Sequence, residues 1–176
     1  MNLPTREQSQ QLLKKYIDNP ALRHHCRMVA SALEAYAQKF DENFELWYQT
    51  GLLHDLDWEQ YPDEHPNKAV NEFLTDYPPE LKNAVLSHAP FRTGKDPQTK
   101  LERYLFACDE LLGFMHAYSL MRPNGFAGIK AGKILKKLKD ASFAAGVSRE
   151  DVAKGFEFIK EEPAQHIQFL IEVYNK

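Results

Sequence analysis

Apolar residues recur along this chain with the 3.6-residue period of a helix nearly everywhere, and no stretch alternates with the two-residue period of a strand. That pattern restricts the fold to the all-α class. Thr5 with Gln8 reads as a capping box that opens a helix toward Ile17. Asn19-Pro20 breaks it, after which Leu22, Val29, Leu33 and Tyr36 trace a second helix. Phe44, Trp47, Tyr48, Gly51 and Leu52 trace a third, ending near Asp55. A loop over 61–66 puts Pro66 at a first helical position, ahead of short helices over about 67–75 and 79–88. A second loop, over 90–97, precedes the longest helix, over about 98–120, with Leu101, Leu105, Cys108, Leu112 and Met115 on one face. Arg122-Pro123-Asn124-Gly125 stops it. Helical segments over 129–139, 148–161 (Ser148 and Asp151 forming a second capping box) and 163–174 complete the chain. The 176 residues suffice for one full-sized core, and neither a repeat nor a linker marks a boundary. The expectation is a single helical bundle over 1–176, with a core at about 20–120 and a helical extension at about 126–176.

Charge and composition narrow the partners. A net charge of −3 supplies no basic field for bulk nucleic acid. No apolar run approaches the roughly 20 residues that span a bilayer, and the N-terminus lacks the apolar core of a secretory signal. Cys26 and Cys108 have no metal-finger spacing and are expected reduced and buried, which points to the cytoplasm and away from membranes.

Chemistry concentrates in the histidines and two aspartates. His25 lies in its helix's apolar stripe, three residues after Leu22 and four before Val29, so it faces inward while His24 faces outward. His54 and Asp55 are neighbours; side chains adjacent on a helix diverge by about 100°, yet near a helix end they can converge on one ion. Asp109 lies four residues after Leu105 and three before Leu112, which embeds a carboxylate in apolar surroundings and calls for a cation, a salt bridge or a proton. His88 continues the line of Leu81 and Val85, and His65 sits on the loop beyond His54-Asp55. Four imidazoles and two carboxylates form a nitrogen and oxygen donor set suited to Mn, Fe, Co, Ni or Zn. With all six engaged, two ions with Asp55 between them are expected; with His25, His54, Asp55 and Asp109 alone, one ion with positions open to water.

The ordered series His25-Cys-Arg-Met-Val-Ala, Gly51-Leu-Leu-His54-Asp55, His65, His88 and Asp109 resembles the HD superfamily of metal-dependent phosphohydrolases. The resemblance covers about residues 20–120 and implies an all-helical core, with metal-ligand roles for His25, His54, Asp55 and Asp109. The six-ligand variant adds His65 and His88. The stretches Asp109-Glu-Leu-Leu-Gly-Phe, Arg122-Pro123 and Phe143-Ala-Ala-Gly-Val-Ser-Arg-Glu are similar to a group of predicted HD hydrolases. The chain departs from many superfamily members after the His-Asp pair, where it reads Leu56-Asp57-Trp58 instead of Gly-Lys, and it has no Gly-Tyr-Pro signature.

The implied function is hydrolysis of a phosphate ester or anhydride in a small molecule, a nucleotide foremost, through a metal-bound hydroxide with His54 and Asp55 at the reacting centre. The alternatives are a di-iron oxygenase of the same superfamily and a non-catalytic regulatory module that binds nucleotide or metal. Lys68, Arg92, Lys95 and Arg122 are the candidates for holding substrate phosphate. Asp57 is read as a solvated loop acid, His116 as a packed histidine and His166 as a surface residue. The lysines at 130, 133, 136, 137 and 139 are read as a wet helix face.

Overall fold

The computed structural model describes residues 3–175, which form ten helices and, among the described residues, no strand. In chain order these are α1 (Arg6–Tyr16), α2 (Pro20–Phe40), α3 (Phe44–Leu53), a π-helix (Ala69–Phe73), α4 (Pro79–Ser87), α5 (Pro90–Thr93), α6 (Lys100–Leu120), α7 (Ala131–Leu138), α8 (Arg149–Ile159) and α9 (Pro163–Tyr174). The chain divides into two compact units, Met1–Phe106 and Ala107–Lys176. The all-α expectation holds. Two local readings change: the helix expected over 67–75 is largely a π-helix, and the loop expected over 90–97 begins with the short α5.

In the first unit the helix ends are fixed by side chains whose type dictates the boundary. Thr5 and Gln8 form the expected capping box at α1. Asn19 caps α2 by accepting from the N–H groups of Ala21 and Leu22, with Pro20 just inside. The Glu59 carboxylate accepts from the backbone N–H groups of Asp18 and Asn19, and Arg23 donates to the Ile17 carbonyl, so the α1–α2 joint is held from both sides. Leu13, Ile17, Cys26, Ala30, Leu52, Leu53, Leu56, Ala69, Leu74, Tyr77, Leu81 and Val85 are buried together as its core. Inside that core, the Ser9 hydroxyl meets the Gln49 Oε1 and the Tyr77 hydroxyl at 2.8 Å each, satisfying three polar groups that burial would otherwise penalise.

Helices α2 and α3 approach closely at Gly51. A Cβ at Gly51 would stand 2.7 Å from the backbone nitrogen of Ala30 and 2.8 Å from its Cα. Only the absence of a side chain lets the two backbones meet there, four residues before Asp55 and five after His25 along their helices.

In the second unit, Gly155 of α8 plays the same part against Ala107, whose Cα would be 2.8 Å from an added Cβ. Arg149 organises the 140–147 segment: its guanidinium donates to the carbonyls of Asp140, Phe143, Ala144 and Val147 and lies 4.8 Å from the Phe114 ring centroid. Ser148 caps α8 through the Asp151 N–H, while its own N–H donates to Glu110 at 3.0 Å. His166 is a correction to the sequence reading: it is fully buried, against the Phe156 ring and 3.4 Å from the Ala107 carbonyl oxygen. It precedes Leu170 by one helical turn and so shares the face of α9 that Ile167 and Ile171 flank. Lys130, Lys133, Lys136 and Lys139 are exposed, as a wet face requires, and Lys137 pairs with Asp140 at 2.9 Å.

Gly51→Ala should lower stability by at least about 1–3 kcal/mol, because the neighbour that must yield is backbone. A thermal melt of the variant is expected to fall by several degrees; an unchanged melting temperature would contradict the close approach.

Candidate metal centre

Four histidines of the first unit surround the carboxylate of Asp55, and the chain's local geometry explains why. His54 is the C-cap of α3 and His88 the C-cap of α4. Each turns its Nδ1 back to the carbonyl three residues earlier, His54 to Gly51 at 2.8 Å and His88 to Val85 at 2.5 Å. A helix leaves its last carbonyls without intrahelical partners, so an imidazole N–H is a natural donor there. A carbonyl can only accept, which assigns the proton to Nδ1 and leaves Nε2 of the neutral ring with a lone pair. The helix stops at the His-Asp pair and the chain continues in turns, which is how two adjacent side chains come to face one place.

His65 reaches the same place from the turn before the π-helix, and Asp57 fixes it there. The Asp57 carboxylate is fully buried; its Oδ1 accepts from His65 Nδ1 and its Oδ2 from the Ala69 N–H, both at 2.7 Å. The reading of Asp57 as a solvated loop acid is therefore corrected. It is a buried support whose two hydrogen bonds tie the His65 ring to the first turn of the π-helix. A carboxylate behind an imidazole sets the ring's orientation and raises its basicity as a ligand.

The inward nitrogens divide between the two oxygens of Asp55. His54 Nε2 lies 3.3 Å and His25 Nε2 3.9 Å from Oδ2. His88 Nε2 lies 3.6 Å and His65 Nε2 3.7 Å from Oδ1. His25, His54 and Asp55 thus offer donor atoms within 4.8 Å of one another, as do Asp55, His65 and His88. Donors sharing one ion at the usual metal–nitrogen distances are separated by about 3.0–3.5 Å, close to these spacings. His65 Nε2 and His88 Nε2 are only 3.1 Å apart. With both Nδ1 atoms donating outward, the two rings, when neutral, turn lone pairs to each other across that gap, an arrangement that a cation relieves.

Electrostatics agree. Burial pushes the Asp55 carboxyl upward, but His54 and His88, when protonated, outweigh it through charge and hydrogen bonding and hold the group well below the usual carboxylate range; a cation held by the neutral rings would take the place of those protons. An ionised carboxylate with imidazole nitrogens, at the negative ends of two helices, is a setting that accepts a divalent transition metal. Thiolate is not part of it: burial, then the charges of Asp109 and Glu161, push the Cys108 thiol well above its usual range. Asp55 keeps 14% of its side-chain surface open, so solvent reaches the carboxylate while His54 behind it is closed off.

The remaining candidates stand as follows. Asp109 is half-buried on α6, in the second unit. His24 is exposed, as expected, and His116 is half-buried. Lys68 is held by Glu72 at 2.8 Å and Glu64 at 3.7 Å, Lys95 by the Asn83 side chain at 2.7 Å, and Arg122 by the Ala127 carbonyl at 2.9 Å. Arg92 differs: it lies over the exposed Trp58 ring, and that ring meets His65 edge to face at 5.0 Å. Trp58 was not singled out in the sequence, although an indole between Asp57 and Glu59, off any apolar stripe, was the available signal.

The family model of the HD domain matches residues 22–113, just over half of the chain. The chain belongs to the HD superfamily of metal-dependent phosphohydrolases. No curated protein and no solved structure gives a significant match. The matched span contains His25, His54, Asp55, His65, His88 and Asp109. HD-domain membership implies metal-dependent phosphohydrolase chemistry in general, and the cluster around Asp55 is compatible with a divalent metal. No helix among the described residues is long and apolar enough to cross a membrane.

Asp57→Asn keeps the shape of the side chain but cannot accept from both His65 and Ala69. Metal affinity is expected to fall about 10–100-fold with helix content unchanged, by metal titration alongside circular dichroism. Equal affinity in the variant would contradict a supporting role.

Proposed function

We propose that this protein hydrolyses a phosphate ester or anhydride in a small molecule, a nucleotide foremost, using a two-ion site with Asp55 between the ions. The observation that carries the reading is the split of the four histidines, two toward each oxygen of Asp55. His25 and His54 would serve one ion, and His65 and His88 the other. Asp109 is proposed to complete the set, supported by its place in the ordered series and by its inclusion in the matched span. Mn, Fe, Co, Ni and Zn all suit such donors.

A bound divalent ion supplies acidified water and neutralises charge on phosphoryl oxygens. The chain's own residues do the rest. Gly51 and Val85 carbonyls and the Asp57 carboxylate hold three imidazoles in one tautomer, so no reorganisation is needed when substrate arrives. The open edge of Asp55 gives substrate access, and Arg92 supplies a positive charge at the rim on the side of His65.

The test pairs metal content with hydrolysis. His54→Ala and Asp55→Ala are expected to lose bound metal and phosphoesterase activity together, while the exposed His24→Ala loses neither. The same hydrolysis is expected under strict anoxia; turnover that requires dioxygen would favour the oxygenase alternative. Full metal occupancy in Asp55→Ala would overturn the assignment.

A further inference from the structure

Beside the proposed ion site stands a feature that holding metal does not require. Trp58 keeps 41% of its surface exposed, although an indole gains more from burial than almost any other side chain. One side of it meets His65, at 5.0 Å between ring centroids and with the planes nearly perpendicular. Over its face lies the Arg92 guanidinium, 5.2 Å from the ring centroid. One guanidinium nitrogen, Nη1, donates to the Pro62 carbonyl at 2.6 Å. That bond joins α5 to the 61–66 turn, which carries His65.

The charges nearby are disposed unlike those of the other basic candidates. Lys68 is neutralised between Glu64 and Glu72, whereas Arg92 has no carboxylate partner among the described residues. A guanidinium placed over an indole is preorganised: the ring beneath it and the Pro62 bond restrict its rotation, while the residue as a whole stays exposed. A planar fork of free donors matches two oxygens of a phosphate. The group stands one ring beyond His65, and so one ring beyond the ion site.

We propose that Trp58 and Arg92 form a second phosphate subsite, which selects substrates carrying at least two phosphate groups: one at the ions and one on the stacked guanidinium. The inference rests on the proposed phosphohydrolase reading and narrows it from phosphate compounds at large to diphosphates and longer. Arg92 is the contact residue. Trp58 positions it, through the stack and without a hydrogen bond to the phosphate.

The test is calorimetric titration of the metal-loaded protein with methylenediphosphonate, whose two phosphoryl groups cannot be hydrolysed apart, and with methylphosphonate, which offers one. The native protein is expected to bind the diphosphonate at least about tenfold more tightly. Arg92→Ala is expected to remove most of that preference while changing methylphosphonate binding less than about twofold and leaving metal per chain unchanged. Trp58→Ala should act like Arg92→Ala, and Trp58→Phe should restore most of the preference, because a ring still supports the guanidinium. Both side chains are exposed, and melting curves verify that the variants fold. An undiminished preference in Arg92→Ala, or equal loss of both ligands, would overturn the subsite. Native protein without metal would instead refute the ion site; titrating that form with the diphosphonate still decides whether Arg92 binds phosphate.

Discussion

The approach of α2 to α3 at Gly51 is the constraint on which the first unit depends. His25 comes from α2, and His54 and Asp55 from the end of α3, so donors from two helices meet only if the backbones do. With Ala30 N at 2.7 Å from where a Cβ would stand, residue 51 has no room for any side chain. A larger residue would part the helices between His25 and Asp55 and open the distances that suit an ion. The same glycine supplies the carbonyl that fixes the His54 ring. Packing and tautomer are thus set at one residue.

The rest of the site follows from how helices end. Terminal carbonyls lack intrahelical partners, and α3 and α4 each satisfy one with the imidazole of their own C-cap histidine. The result is a pair of rings whose inner nitrogens face Asp55, at the negative ends of two helices, where positive charge is favoured. His65 has no helix end to lean on, and the buried Asp57 takes the place of the carbonyl. Three histidines thereby reach one state by two routes. Where both rings are neutral, the 3.1 Å gap between His65 and His88 brings two acceptor nitrogens together, a pairing that a cation satisfies.

Much of this was legible in the sequence, for reasons that particular residues make clear. Periodicity identified the helices because burial on one face repeats every 3.6 residues, and the stripe through Leu22 and Val29 separated His25 from the exposed His24. The His54-Asp55 pair at a helix end was visible because the apolar run stops there. Asp57 was misread because its partners are eight and twelve residues away, His65 and the N–H of Ala69, and no local pattern announces a contact made by a turn folding back. His166 was misread for a similar reason: a polar side chain on a short amphipathic helix looks solvated until its neighbours are in place. The π-helix and α5 were missed because single turns carry too few residues for a period to emerge. Trp58 and Arg92 are far apart in sequence and meet only through the fold.

The central claim is a two-ion site divided by Asp55. Elemental analysis of the native protein, purified without a histidine tag or chelator and counted per chain, tests it most directly. Close to two transition-metal ions per chain is the predicted result. No metal, even after reconstitution with Mn, Fe, Co, Ni and Zn in turn, would contradict it.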